Sequence, residues 1–89
     1  MTLNEELSRT RAGRLALAEE RLILDVTERI CEEMQYQGVP RREVARKMKI
    51  KKSELDSLLD GRRLTVRIAA EMAFALGCTF KVSLERIER

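Results

Sequence analysis

The sequence predicts an all-α domain with four main helices and one short C-terminal β-strand near residues 78–85. Three features support this fold class. Apolar residues recur every three or four positions over most of the chain, glycines follow the periodic segments, and the apolar period changes to two after Gly77. The chain has 89 residues, of which 44% are hydrophobic and 37% charged, as is typical of a small globular domain. Only 3% are aromatic, so the core must be built from aliphatic residues and methionine.

Composition and periodicity divide the chain into three segments. Residues 1–14 form a polar N-terminal segment, in which Asn4 begins a short helical turn and Gly13 is a break. Residues 15–77 form the helical bundle. Residues 78–89 form the C-terminal strand and tail, which is a candidate dimerisation element.

The first predicted helix runs from about residue 15 to residue 37 and is amphipathic. Most of its apolar positions recur at helical spacing: Leu15, Leu22, Val26, Ile30 and Met34. Four further apolar residues make the stripe wider than one core face requires: Leu17, Ile23, Leu24 and Cys31. Gly38 is predicted to end the helix, because glycine readily adopts the left-handed conformation that follows many helices.

Two short helices separated by a tight turn are predicted next. Pro40 opens the first of them, since proline is tolerated in the first turn of a helix. Residues 49 and 50 form the turn, the next helix begins at Lys51 or Lys52, and Gly61 follows its end. The inward-facing residues of the two helices are predicted to be Val44, Ala45, Met48, Leu55, Leu58 and Leu59.

A fourth helix is predicted between Thr65 and Gly77. The Thr65 hydroxyl can cap its first turn, and Gly77 follows its end. Its predicted core-facing residues are Ile68, Ala69, Met72, Ala73 and Leu76.

The segment after Gly77 has the alternation of a half-buried strand. Its apolar members are Cys78, Phe80, Val82 and Leu84, and polar residues lie between them. The sequence offers no second strand. The segment therefore either packs as an extended tail or pairs with its copy in a second subunit, and we expect the pairing.

Positive charge is concentrated in the middle of the chain. Residues 1–38 carry five basic and eight acidic side chains, a net charge of −3. Residues 39–67 carry ten basic and four acidic side chains, a net charge of +6. A basic segment in an otherwise neutral-to-acidic protein indicates a polyanionic partner, although a solvated face would have the same composition.

The composition argues against several other classes of protein. Histidine is absent and Cys31 and Cys78 are the only cysteines, so we expect no zinc site, no other metal, no cofactor and no disulfide. We see no phosphate-binding glycine loop and no nucleophile with a base, so an enzyme is not expected. No apolar run is long enough for a membrane span or a signal peptide, which favours a cytoplasmic location and no membrane partner.

Residues 39–61 resemble the helix-turn-helix of the lambda-repressor/Cro (XRE-type) family. The most specific matches are Val44 and Ala45, the spacing to Ile50, the pair Leu55 and Leu58, and the end of the motif at Asp60, Gly61, Arg62 and Arg63. The resemblance covers about residues 22–85. Short proteins with these helices and a following strand look similar to bacterial antitoxins and to prophage or phage regulators.

The resemblance implies a lambda-repressor-like bundle whose helix-turn-helix, at residues 40–61, binds double-stranded DNA. In that family the second helix of the motif enters the major groove. The implied base-reading residues are Lys52, Ser53, Asp56 and Ser57, which by helical spacing also share one face. The implied phosphate contacts are Arg41, Lys51, Arg62 and Arg63. The function implied is that of a transcriptional regulator, as a repressor or an autoregulating antitoxin, acting as a homodimer.

Two departures from the family pattern bear on the site. Lys49 occupies a turn position that often holds glycine, so a left-handed conformation there would be strained. Asp56 places a carboxylate on the base-reading helix, where it can accept from a cytosine amino group, pair with Lys52, or weaken DNA binding. The alternative function is that of an antitoxin-like module that acts mainly by binding a protein partner, such as a toxin.

Overall fold

The structure is a computed structural model that describes residues 9–87. Within that range the chain forms four α-helices, which we name α1 (Arg11–Gln37), α2 (Arg41–Met48), α3 (Lys52–Leu59) and α4 (Val66–Ala75). The prediction of an all-α fold is confirmed. None of these helices is long and apolar enough to cross a membrane. The helical turn expected at Asn4 lies outside the described residues.

Helix α1 begins earlier than the sequence predicted. Thr10 caps it, and its Oγ1 accepts a hydrogen bond of 2.9 Å from the backbone N–H of Gly13. The predicted break at Gly13 is therefore wrong, because this glycine is buried inside the first turn of the helix. The cap supplies a partner for a backbone N–H that has none within the helix itself.

All four helices end in the same way. A residue with positive φ follows each helix, and its own N–H and that of the residue after it donate back to carbonyls of the last turn. The residue with positive φ is Gly38 after α1, Gly61 after α3 and Gly77 after α4, as the sequence predicted. After α2 it is Lys49, with φ of 61° and ψ of 40°. The connections between the helices are consequently short and fixed.

The core lies where the four helices meet. Val44 of α2, Leu55 of α3 and Met72 of α4 have no exposed surface. The other buried apolar residues are Ile30, Met34, Ala45, Leu59, Ala73 and Leu76. Met48, Leu58 and Ile68, which were predicted to face inward, are partly buried against this cluster.

The N-terminal half of α1 projects beyond this core. A 27-residue helix is about 40 Å long, and the molecule measures 43 Å along its longest axis. Leu15 and Leu22 were predicted to lie on the core face, but they are 59% and 65% exposed. The prediction was wrong for these two residues because the other three helices are too short to cover all of α1.

The predicted C-terminal strand is not formed. Residues 78–87 have neither helical nor strand structure, and Val82, Leu84 and Ile87 are each more than 90% exposed. The prediction of a strand near residues 78–85 is therefore wrong for the single chain. A strand requires a neighbouring backbone to hydrogen-bond with, and in the described residues no second extended segment pairs with this one. We call residues 81–87 the C-terminal arm.

Gly61 is predicted to be the least replaceable of the helix-ending glycines. Its φ is +86°, and a Cβ atom placed on it would lie 2.5 Å from Cγ2 of Ile23 in α1. The substitution Gly61→Ala should therefore lower the free energy of unfolding by about 2–4 kcal/mol, from backbone strain and overpacking together. Gly77→Ala is the control, because its φ is +71° and a Cβ there meets nothing within 4 Å.

Urea denaturation of both variants checks this prediction. Gly77→Ala should lose only about 1–2 kcal/mol from strain. Adding Ile23→Ala to Gly61→Ala should recover part of the additional loss. Equal losses at the two glycines would contradict the close contact with Ile23.

Candidate nucleic-acid interface

Helices α2 and α3 are held together by a three-residue connection and by the core. The N–H of Ile50 donates to the carbonyl of Ala45 at 3.0 Å, and Lys51 then begins the next helix by accepting from Glu54 and Leu55. Ala45 is buried at this junction. Its small side chain allows the two helices to approach closely.

The outer face of α3 carries the predicted base-reading residues together. Lys52 and Ser53 are exposed in its first turn, and Asp56 and Ser57 are partly exposed one turn later. Leu55 and Leu59 are buried on the opposite side. An eight-residue helix thus presents one polar face to solvent and one apolar face to the core.

Asp56 joins α2 to α3 through two ion pairs. Its Oδ1 accepts from Nη1 of Arg41 at 2.8 Å, and its Oδ2 accepts from Nζ of Lys52 at 3.0 Å. The three side chains are between 36% and 59% exposed, so the cluster lies at the surface. We call Arg41, Lys52 and Asp56 the surface triad.

These contacts fix the ionisation of the surface triad. Hydrogen bonds from Arg41 and Lys52, in that order, hold the pKa of the Asp56 carboxyl below its ordinary value. The hydrogen bond between Arg41 and Asp56 also raises the pKa of the Arg41 guanidinium. The ion pairs thus favour the charged forms of Asp56 and Arg41, and the formal charges of the triad sum to +1.

The other predicted phosphate-contacting residues lie at the two ends of α3. Lys51 is exposed at its N-terminus, and Arg62 and Arg63 are exposed in the turn after its C-terminus. The N–H of Arg62 donates to the carbonyl of Ser57 at 3.0 Å, which ties this turn to α3. Arg63 has a φ of 54°, a left-handed conformation that fixes the direction of the chain there.

Sequence reasoning missed the contact between Arg41 and Asp56. It gave the pairing of Lys52 with Asp56 as one of three alternatives for this carboxylate, on the basis of their spacing of four residues on one helix. Arg41 and Asp56 are 15 residues apart on different helices. Their opposite charges are visible in the sequence, but the contact depends on the crossing of α2 and α3.

A second surface is formed by α1, by α4 and the segments on either side of it, and by Lys47 and Met48 at the end of α2. These elements line an open groove of about 2080 Å³ whose apolar contributors include Leu22, Val26, Phe74 and Phe80. Phe74 is 85% exposed and Val66, at the first position of α4, is 90% exposed. None of the eight predicted DNA-contacting residues lines this groove.

Within residues 9–87, no group of three or more Cys, Asp or Glu side chains could hold a metal ion.

Comparison of the chain with protein-family models, with curated proteins and with solved structures found no match in any of the three. The lambda-repressor/Cro resemblance accordingly stays a prediction from the sequence.

Lys49 should be a position where glycine stabilises the fold. A left-handed conformation costs a residue with a Cβ about 1–2 kcal/mol, and part of the gain is lost because glycine is more flexible in the unfolded chain. We expect Lys49→Gly to raise the free energy of unfolding by about 0.5–1 kcal/mol. Lys47→Gly, two residues earlier inside α2, should instead lower it by about 1 kcal/mol.

Urea denaturation monitored by circular dichroism measures both effects. The test is that the same substitution should raise the free energy of unfolding at Lys49 and lower it at Lys47. A loss of stability in both variants would show that the Lys49 side chain makes contacts worth more than its backbone strain.

Proposed function

We propose that the chain is a sequence-specific double-stranded DNA-binding protein of the transcriptional-regulator type, with α2 and α3 as a helix-turn-helix. One observation carries the proposal: the polar outer face of α3 is flanked at both ends by exposed cationic side chains. An α-helix of this size fits the major groove, and cations at its margins can reach the phosphates on either side.

Charge supports the same conclusion. The segment of residues 39–67 has a net charge of +6, whereas residues 1–38 have a net charge of −3. Neutralising phosphates releases condensed counterions and supplies most of the sequence-independent affinity for DNA. In this proposal Arg41, Lys51, Arg62 and Arg63 contribute affinity. Lys52, Ser53, Asp56 and Ser57 contribute sequence discrimination.

We further propose that the protein acts as a homodimer whose second copy covers the groove between α1 and α4. The same chain carries this exposed apolar groove and, next to it, an apolar arm in which Val82 and Leu84 are 94% and 99% exposed. In a two-fold dimer each arm can cover the groove of the other copy, so both surfaces are buried at once. Unpaired backbone in the arms can also pair between the copies, as expected for the predicted strand.

Charge favours a second copy as the occupant of the groove. The helices that line the groove contribute five acidic and three basic side chains, and the arm contributes two basic and one acidic. Lys47 and Met48 of α2 line the groove, but none of the proposed DNA-contacting residues does, so the dimer leaves both proposed DNA-contacting faces free. Two copies can then read half-sites about 34 Å apart on one face of a duplex.

Replacing Arg63 by alanine tests the phosphate role. The variant should bind a selected duplex and a random duplex more weakly by the same factor, and its salt slope should be flatter by about 0.9. Arg21→Ala removes the same charge from α1 at an exposed position outside the groove. It should leave the salt slope unchanged. A loss confined to the selected duplex would instead make Arg63 a base-reading residue.

Replacing Phe74 by glutamate tests the dimer. Because this side chain is exposed within one chain, Phe74→Glu should keep the helical content of the wild type. It should sediment as a monomer and bind an operator without cooperativity. Gln35→Glu introduces the same charge at an exposed position of α1 outside the groove and should remain dimeric. Val82→Pro tests the arm separately, since proline removes a backbone donor.

The results of the two variants distinguish the possible interfaces. A dimer that survives Val82→Pro but not Phe74→Glu would show that the groove, and not strand pairing, is the interface. A wild-type chain that sediments as a monomer would contradict the homodimer.

The exposed groove also favours a second candidate function, that of an antitoxin-like module whose main partner is a protein. Apolar surface of this extent is what a protein-binding site uses. Salt distinguishes the two functions, because binding to DNA weakens steeply with added salt. Salt-insensitive binding of a protein with no affinity for duplex DNA would favour the module.

A further inference from the structure

We propose that Asp56 restrains Arg41 and Lys52 in the free protein and releases them only on a duplex that offers a cytosine amino group to its carboxylate. The inference rests on the proposed DNA-binding function and makes Asp56 a residue that determines specificity. It also names a feature of the preferred site, a G·C base pair opposite the second turn of α3.

The geometry of the surface triad is the basis for this inference. Each carboxylate oxygen of Asp56 is used by a different cation, Oδ1 by Arg41 and Oδ2 by Lys52. A cation that swings away from Asp56 toward a phosphate gives up one charge-assisted hydrogen bond. Two of the interface's positive charges are therefore partly neutralised before DNA arrives.

The position of Asp56 explains why release depends on sequence. It lies on the exposed face of α3, where base edges would be met, and most atoms on those edges are acceptors that repel a carboxylate. The cytosine amino group is a donor with no acceptor beside it on the same base. The adenine amino group is next to the acceptor N7, which suits an amide better than a carboxylate.

A G·C pair can supply hydrogen-bond partners to both triad residues of α3, Lys52 and Asp56. Cytosine donates to Asp56, and O6 and N7 of its guanine can accept from Lys52, one helical turn earlier. Arg41 is then free for a phosphate. On any other base pair, either the cations stay with Asp56 or its carboxylate is left without a donor.

Two variants of Asp56 test the proposal. Asp56→Ala removes the carboxylate, and Asp56→Asn keeps its shape without its charge. Glu54→Gln is the matched control, because it removes one negative charge from the same helix outside the triad. Thermal melting by circular dichroism checks that all three fold, as expected for a surface ion pair that contributes little stability.

The first readout is binding to a random duplex at several salt concentrations. Asp56→Ala should bind several-fold more tightly than wild type, with a salt slope steeper by up to about 1.8, since two more cations reach phosphates. Glu54→Gln should leave the slope unchanged. Weaker binding of both Asp56 variants would overturn the proposal, because Asp56 would then support its cations rather than restrain them.

The second readout is selection of bound sequences from a random pool. Wild type should prefer cytosine at one position by about 5- to 150-fold, Asp56→Ala should lose that preference, and Asp56→Asn should move it toward adenine. Identical preferences in wild type and Asp56→Ala would overturn the proposal. If the wild-type chain shows no salt-dependent affinity for any duplex, the proposed function fails as well.

Discussion

Two helices of eight residues each carry the cationic surface, and helices of that length are not stable in water by themselves. Their stability comes from the contact between Val44 and Leu55 and their neighbours, which are completely buried where α2 and α3 meet α1 and α4. Loss of that core would separate Arg41 from Asp56 and would remove the outer face of α3. The exposed chemistry thus depends on apolar residues that make no contact with a ligand.

The ends of the helices hold this arrangement in place. Each helix stops at a left-handed residue, so the chain reverses direction within a few residues. At Gly61 the same turn lies directly against Ile23 of α1 and carries the exposed Arg62 and Arg63. A glycine required by backbone conformation and close packing thereby positions two cations at the end of α3.

The features that sequence reasoning predicted correctly are those controlled by local residues. The cap at Thr65, the helix-ending glycines and the alternation of buried and exposed positions in α3 depend on near neighbours in the chain. The start of α1 at Thr10 was not predicted, because glycine is an unfavourable helix residue and Gly13 lies in the first turn. The exposure of Leu15 and Leu22 depends on how far the other helices extend. A strand at residues 78–85 would need a second extended segment, which residues 9–87 do not supply.

The two surfaces differ in character and are formed by different residues, although α2 contributes to both of them. The α2–α3 surface is polar and cationic, whereas the groove between α1 and α4 is apolar with an excess of acidic residues around it. In the function proposed above, this separation would allow one chain to bind DNA and a second copy at the same time. It also allows each function to be removed without the other, because no DNA-contacting residue proposed above lines the groove.

The most direct test of the account is an NMR titration of the isotope-labelled chain with a short duplex at low salt. We expect the largest amide shifts at Arg41, at residues 51–57 and at Arg62 and Arg63. Amides along the groove, such as those of Leu22 and Phe74, should change little. Shifts concentrated in the groove, or no shifts at any duplex concentration, would contradict the assignment of α2 and α3 as a DNA-binding surface.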